Sequence, residues 1–91
     1  MAKIREGHEI FTSSDLATIT KNTNNNNHLE NYLLIAQKTG FPTNTIRFLI
    51  EKRDRQGYLS TDESYPVYSH LMSYLHTRIN QEEYLAIYER L

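Results

Sequence analysis

The sequence predicts a small, mainly α-helical domain of four to five helices. Apolar side chains recur three and four residues apart in five separate stretches, which is the pattern of helices that bury one face. Residues that favour the start of a helix precede most of these stretches, and glycines follow two of them. Because the chain has 91 residues, we expect one domain with a thin hydrophobic core over residues 1–91.

The first helix is predicted near residues 13–21. The sequence TSSD at residues 12–15 is rich in residues that cap helix N-termini, and Leu16 and Ile19 follow at helical spacing. The tract KNTNNNN at residues 21–27 adds nothing apolar to a core, and asparagine favours turns. We therefore expect a loop over the whole tract.

Two helices joined by a tight turn are predicted for residues 28–39 and 43–56. Ala36 provides a small side chain where the first of these helices passes over the second. Gly40 ends the first helix and Gly57 ends the second, because glycine adopts a positive φ without steric cost. The apolar residues that anchor this pair are Leu29, Tyr32, Leu33, Ile35, Phe41, Ile46, Leu49 and Ile50.

Residues 58–68 fit two alternatives. A strand at each end of the segment around a polar turn would make a short β-hairpin wing. Ser60 and Glu63, by contrast, have the spacing of a capping box, which would start a helix. We favour an extended or irregular segment, because Pro66 would otherwise fall within the first two turns of a helix.

A C-terminal helical pair is predicted for about residues 66–91. Its first helix runs from Pro66 to about Ile79, and Asn80 with Glu83 forms a capping box for the second. Both helices are acidic and carry an apolar stripe, which suits either the core or a homodimer contact. The residues of the two stripes are Leu71, Met72, Leu75, Ile79, Tyr84, Ile87, Tyr88 and Leu91.

Residues 32–59, YLLIAQKTGFPTNTIRFLIEKRDRQGYL, resemble the helix-turn-helix of DNA-binding transcriptional regulators, whose second helix lies in the major groove. The continuation through residues 57–59 is similar to winged-helix bacterial regulators. Two positions depart from these families: Thr39 replaces an aliphatic residue before the turn, and Arg53 replaces a late core leucine. The resemblance implies a helix-turn-helix core over about residues 28–57. The matching positions are Ala36, Gly40, Phe41, Ile46 and Leu49.

The same resemblance implies an interface with double-stranded DNA on the helix 43–56. Near the N-terminus of that helix, Asn44 can pair with adenine and Arg47 with guanine in the major groove. Lysine and arginine residues on the same surface would contact phosphates, which position the protein without specifying sequence. The expected DNA-binding residues are Lys38, Thr43, Asn44, Thr45, Arg47, Lys52 and Arg55.

The net charge of −1 argues against strong non-specific binding to nucleic acid. The distribution of charge is uneven, however. Residues 1–37 carry −1, residues 38–60 carry +3 and residues 61–91 carry −3. The basic block thus coincides with the proposed recognition helix.

Several chemistries are not expected from this composition. The absence of cysteine excludes disulfides and thiolate metal sites, and no two histidines lie four residues apart as a helical zinc pair would. Neither a glycine-rich phosphate loop nor a nucleophile elbow is present. We therefore expect no catalytic residues, no metal and no cofactor. The four histidines are His8, His28, His70 and His76.

The sequence also bears on the compartment. No apolar run approaches the ~20 residues that a membrane span requires. The N-terminal sequence MAKIREGHEIF has no apolar region of the kind that signal peptides carry. We expect a cytoplasmic protein without a membrane partner.

Two functions follow from these observations. The first is a sequence-specific, DNA-binding small transcriptional regulator that forms a homodimer through its C-terminal helices. The alternative is a helical protein-interaction module, such as a phage-encoded inhibitor, an immunity protein or an antitoxin-like protein, in which residues 28–57 are an ordinary αα-hairpin. The near-neutral charge, the seven tyrosines and an exposed Phe48 favour this alternative.

Overall fold

The structure is a computed structural model that describes residues 10–91, and all of its regular elements are α-helices. This confirms the prediction of a small, mainly α-helical domain with five helices. His8 lies outside the described residues. The helices are α1 (Ser13–Asn24), α2 (His28–Thr39), α3 (Asn44–Gln56), α4 (Thr61–Arg78) and α5 (Gln81–Arg90).

Helix α2 occupies the centre of the helical assembly. It packs against α1, α3 and α4, while α5 packs against α1 and α4. Each fully buried aliphatic side chain contributes roughly 1.5–3 kcal/mol relative to an exposed one, so this shared core is the main source of stability. Every helix supplies at least one residue with no exposed surface: Ile19, Ile35, Ala36, Ile46, Leu71, Leu75 and Ile87.

The polar tract after the first predicted helix is only partly a loop. α1 continues to Asn24, so the prediction of a loop over residues 21–27 is wrong in its first half. The reason is the fully buried Asn31 of α2, whose amide nitrogen donates to the carbonyl of Ile19 (2.9 Å) and to the hydroxyl of Thr23 (3.0 Å). Its oxygen accepts from the amide of Asn22 (3.0 Å). This tertiary network holds the last turn helical although asparagine has low helix propensity.

The hairpin of α2 and α3 agrees closely with its predicted boundaries. Gly40 has φ 86° and its N–H donates to the carbonyl of Ala36 (2.8 Å), as expected of a left-handed helix cap. Gly57 ends α3 in the same way, with φ 90°. α3 begins at Asn44, one residue later than predicted, because Thr43 is its N-cap. The Thr43 side chain makes no capping hydrogen bond.

The turn between α2 and α3 is braced by Tyr74 of α4. The Tyr74 hydroxyl donates to the carbonyl of Thr39 (2.9 Å), and its ring meets the ring of Phe41 edge to face, with centroids 5.2 Å apart. The hydroxyl of Thr39 donates back to the carbonyl of Ile35 (2.8 Å). Thr39, which departs from the helix-turn-helix pattern, therefore holds the end of α2 through polar contacts.

Helix α4 begins five residues earlier than predicted. Ser60 and Glu63 form a complete capping box, so the segment we expected to be irregular is mostly helical. No strand occurs in residues 10–91, and a wing at residues 58–68 is therefore not present. Pro66 lies inside the helix with an exposed ring, where it removes one backbone N–H. The capping box and the burial of Val67 and the residues that follow offset this loss.

Helix α5 starts at the predicted place, but its capping box is incomplete. The Asn80 side chain accepts from the N–H of Glu83 (2.8 Å). The Glu83 carboxylate does not return to Asn80: its Oε2 accepts the backbone N–H groups of Ile10 (2.5 Å) and Phe11 (3.0 Å). Only 7% of Glu83 is exposed, and its Oε1 has no hydrogen-bond partner within residues 10–91. Glu83 therefore fastens the segment before α1 to the first turn of α5.

None of the helices in residues 10–91 has both the length and the apolar character that crossing a membrane requires.

The Glu83 contact predicts a graded loss of stability. We expect Glu83→Ala to lower the free energy of unfolding by about 3 kcal/mol, because two N–H groups lose a charged acceptor. Glu83→Gln keeps one acceptor oxygen and should lose about half as much, since bonds to a charged group are roughly twice as strong as neutral ones. Urea denaturation of the three proteins measures both values, and equal losses in the two variants would contradict this role.

Candidate functional site

The exposed face of α3 carries most of the residues predicted to bind DNA. α3 turns Ile46 and Leu49 into the core, so its opposite face points outward. On that face Phe48 is 57% exposed. Among the predicted residues, Thr43 and Lys52 are half-buried. The exposed ones are Asn44, Thr45, Arg47 and Arg55, together with Lys38 at the end of α2, whose side chain is 32% exposed.

Three cations of the basic block are engaged in ion pairs between helices. Lys38 Nζ lies 2.7 Å from Asp15 Oδ2, which links α2 to α1. Lys52 is ion-paired with Glu63, which links α3 to α4. The two carboxylates belong to the capping boxes of α1 and α4, so each stabilises a helix start and a helix pair at once.

The third ion pair joins Arg53 of α3 to Glu30 of α2. It is bidentate, with the two guanidinium nitrogens 2.9 Å and 2.7 Å from the two carboxylate oxygens. Arg53 is the position where the winged-helix pattern has a leucine. Here an ion pair replaces that apolar contact and ties α2 to α3 far from their turn.

The same contacts hold the three carboxylates in their charged form. Hydrogen bonding from Arg53 lowers the pKa of Glu30, and hydrogen bonding from Lys38 lowers the pKa of Asp15. The pKa of Glu63 is lowered in the same way, chiefly by Lys52. The pairs therefore stay intact at neutral pH.

These pairs change the charge that the basic block presents to a ligand. Its sequence charge of +3 is matched by three carboxylates from outside the block, which leaves no net charge on this surface. Within residues 10–91, Arg47 and Arg55 are the two cations of the block that form no ion pair. Two acidic residues, Glu51 and Asp54, stand on the same helix.

A groove lined by tyrosines opens at the far end of the hairpin from the turn. Its volume is about 640 Å³, and it lies between the N-terminal halves of α2 and α4 and the end of α3. Tyr58 and Tyr65 are 67% and 58% exposed, so their rings stand out from the surface. The four tyrosines of this first groove are Tyr32, Tyr58, Tyr65 and Tyr68.

A second groove of about 500 Å³ runs between α4 and α5 and adjoins the first. Tyr65 and Tyr68 line both grooves, and Tyr84 and Tyr88 complete the second. The rings of Tyr65 and Tyr68 are 6.0 Å apart between centroids, and those of Tyr84 and Tyr88 are stacked at 6.0 Å. Six of the seven tyrosines of the chain therefore line one continuous surface, which we call the tyrosine surface.

The hydroxyls of these six tyrosines make no hydrogen bond to any residue of the described chain, whereas the Tyr74 hydroxyl does. Burial, with the neighbouring Tyr68, raises the pKa of Tyr32 to about 12. Burial and the nearby tyrosines raise the pKa of Tyr68 as well. Both phenols remain protonated at neutral pH, when they are available as hydrogen-bond donors.

Among the described residues, no uncommitted lysine, arginine or acidic side chain lines the tyrosine surface. Arg53 lines the first groove, but its guanidinium is held by Glu30. His28 lies in the first groove and His76 in the second. The remaining polar lining is uncharged and consists of Asn26, Thr61, Ser64, Ser69 and Ser73.

The described residues contain no group of three or more histidine or acidic side chains that could hold a metal ion. Comparison of the chain with protein-family models, with curated proteins and with solved structures gives no match.

The tyrosine surface was not predicted as a site from the sequence. A signal existed, since Tyr65 and Tyr68 are three residues apart and Tyr84 and Tyr88 four, so each pair shares a helix face. What the sequence could not supply was the contact of α4 with α2 and α5, which joins the two pairs.

The pairing of Glu30 with Arg53 predicts a pH dependence. A carboxylate with a lowered pKa stabilises the fold above its ordinary pKa of 4.5, and the benefit is lost as the pH falls below the folded pKa. We expect Glu30→Gln to lower the free energy of unfolding by about 1 kcal/mol at neutral pH, a modest value because the pair is partly exposed. The difference from wild type should shrink between about pH 5 and about pH 2.

Urea denaturation across that pH range measures the effect. Glu51→Gln is the matched control, because Glu51 is an exposed acid of α3 without an ion pair in residues 10–91. A difference for Glu30→Gln that stays constant with pH would contradict the ion pair.

Proposed function

We propose that this protein is a helical protein-interaction module that binds a partner protein through the tyrosine surface. The observation that carries the proposal is the gathering of six tyrosines along two adjoining grooves, with hydroxyls that make no hydrogen bond within residues 10–91. Tyrosine is enriched at protein interfaces because it offers a large apolar ring and a polar tip at low conformational cost.

The exposure of the rings supports the same proposal. Tyr58, Tyr65 and Tyr88 each leave more than half of their surface in solvent. Contiguous exposed aromatic surface is uncommon on proteins that act alone and marks sites of interaction. The near-neutral charge of the surface suits a protein partner better than a polyanion, since DNA affinity depends on neutralising phosphates.

The test is site-specific photo-crosslinking in cells that express the gene. We expect p-benzoylphenylalanine in place of Tyr65 to form an adduct with one protein, and this adduct should resist nuclease and weaken when Tyr58 is changed to alanine. The same crosslinker in place of Phe48 is the matched control, because Phe48 is equally exposed but lies outside the grooves. Adducts from Tyr65 no stronger than those from Phe48, or adducts removed by nuclease, would contradict the proposal.

Sequence-specific DNA binding by α3 is the second candidate. It is favoured by one observation: Asn44, Thr45, Arg47 and Arg55 are exposed on one helix whose hairpin is fixed by the Arg53–Glu30 pair and by Tyr74. Under this candidate the protein is a small transcriptional regulator, and the C-terminal helices α4 and α5 form the homodimer contact.

This candidate predicts a specific response to salt and mutation. With two uncommitted cations per protomer in the basic block, the logarithm of affinity should fall with the logarithm of salt with a slope of about −2 per protomer. We expect Arg47→Ala to lose about 1–3 kcal/mol of sequence-specific affinity. Fluorescence titration of genomic fragments measures both, and Arg90→Ala on α5 is the control. Absence of binding below about 10 μM at low salt would rule out this candidate.

A further inference from the structure

We infer that the segment of the partner that occupies the tyrosine surface is extended, uncharged and proline-rich, in the polyproline II conformation. This inference rests on the proposed function and names the chemistry of the occupant. Two properties of the grooves support it: their hydroxyl groups can donate to the carbonyls of such a segment, and their lining suits an uncharged chain.

Other common modes of peptide recognition do not fit the lining. Addition of a strand needs an exposed sheet edge, and residues 10–91 contain no strand. Capture of a phosphorylated or acidic segment needs a cluster of free cations, whereas Arg53 is already bound by both oxygens of Glu30. An amphipathic helix needs a hydrophobic groove, whereas phenols and small hydroxyl side chains outnumber the aliphatic residues of this lining.

A polyproline II segment has the complementary pattern. Its backbone makes no internal hydrogen bonds, so its carbonyls are free to accept, and proline brings no N–H of its own. The tyrosine surface offers protonated phenols that make no hydrogen bond within the described residues. Hydroxyl groups that can donate in the grooves therefore meet carbonyls that can only accept in the segment. No uncommitted lysine, arginine or acidic side chain of residues 10–91 lines the grooves to oppose an uncharged chain.

The shape of the surface agrees with this chemistry. Tyr65 and Tyr68 form a shared wall with a groove on each side, so an extended chain that crosses the wall contacts both grooves. Flat proline rings pack against the faces of aromatic side chains, and the segment is already ordered before it binds, which reduces the entropy lost.

The test is binding of a fluorescein-labelled deca-proline peptide to the full chain, followed by fluorescence anisotropy. We expect saturable binding by deca-proline and at least tenfold weaker binding by a ten-residue Gly-Ser peptide and by an amphipathic Ala-Leu helical peptide. Tyr65→Ala and Tyr58→Ala should each weaken deca-proline binding by tenfold or more. Phe48→Ala removes an aromatic ring of similar exposure outside the grooves and should leave binding unchanged.

Tyr65→Phe separates the contribution of the aromatic ring to peptide binding from that of the hydroxyl. It keeps the ring and removes the hydroxyl, so binding should weaken by a few-fold and less than in Tyr65→Ala. Circular dichroism of each variant verifies that the helices remain, and the exposure of Tyr58 and Tyr65 makes loss of folding unexpected.

Three peptide-binding results would overturn the inference: no deca-proline binding at about 1 mM peptide, equal binding by Tyr65→Ala and wild type, or tighter binding of the helical peptide. A wild-type dimer that Tyr65→Ala converts to monomer in sedimentation would also overturn it, because a second copy would then occupy the surface. If crosslinking from Tyr65 captures a partner but deca-proline does not bind, the inference fails and the proposed function stands. If deca-proline binds but crosslinking from Tyr65 captures no partner, the surface recognises a polyproline II segment, but the proposed function and the assignment of that segment to a partner both fail.

Discussion

Helix α2 must contact three other helices at once, and the remaining helices are arranged around that constraint. Different residues of α2 attach it to its three neighbours: buried Asn31 bonds to the last turn of α1, Glu30 binds Arg53 of α3, and Tyr32 meets Tyr68 of α4 with ring centroids 5.8 Å apart. Because α1, α3 and α4 all pack on α2, this helix sets their positions relative to one another. The tyrosine surface is consequently held by the same helix that organises the core.

Folding also neutralises much of the positive charge that the sequence places in residues 38–60. The basic block coincides with the predicted recognition helix. Three of its cations form ion pairs between helices instead of facing a ligand: Lys38, Lys52 and Arg53. A count along the chain treats every cation as available to a ligand, whereas a carboxylate distant in sequence can neutralise it. Folding has the opposite effect on the tyrosines. They are dispersed in sequence from Tyr32 to Tyr88, and the fold brings them together on one surface.

Helix boundaries were predicted correctly where the local sequence determines them, and the errors occurred where tertiary contacts determine them. Gly40 and Gly57 fix their helix ends through backbone conformation alone, so both positions were correctly predicted. Pro66 led to the wrong start for α4, because a local penalty was weighed without the burial that offsets it. The role of Glu83 could not be predicted, since its partners lie 72 and 73 residues away. The tyrosine surface was missed for the same reason.

The long-range link made by Glu83 has a consequence for how the protein is made. A ribosome synthesises Phe11 72 residues before Glu83, so this link cannot form until the chain through the first turn of α5 has emerged. Until then, the apolar side of α1 that later meets α5 stays uncovered. These helices therefore depend on α5 to complete their core, and termination of synthesis before α5 would leave an exposed apolar surface that chaperones and proteases recognise.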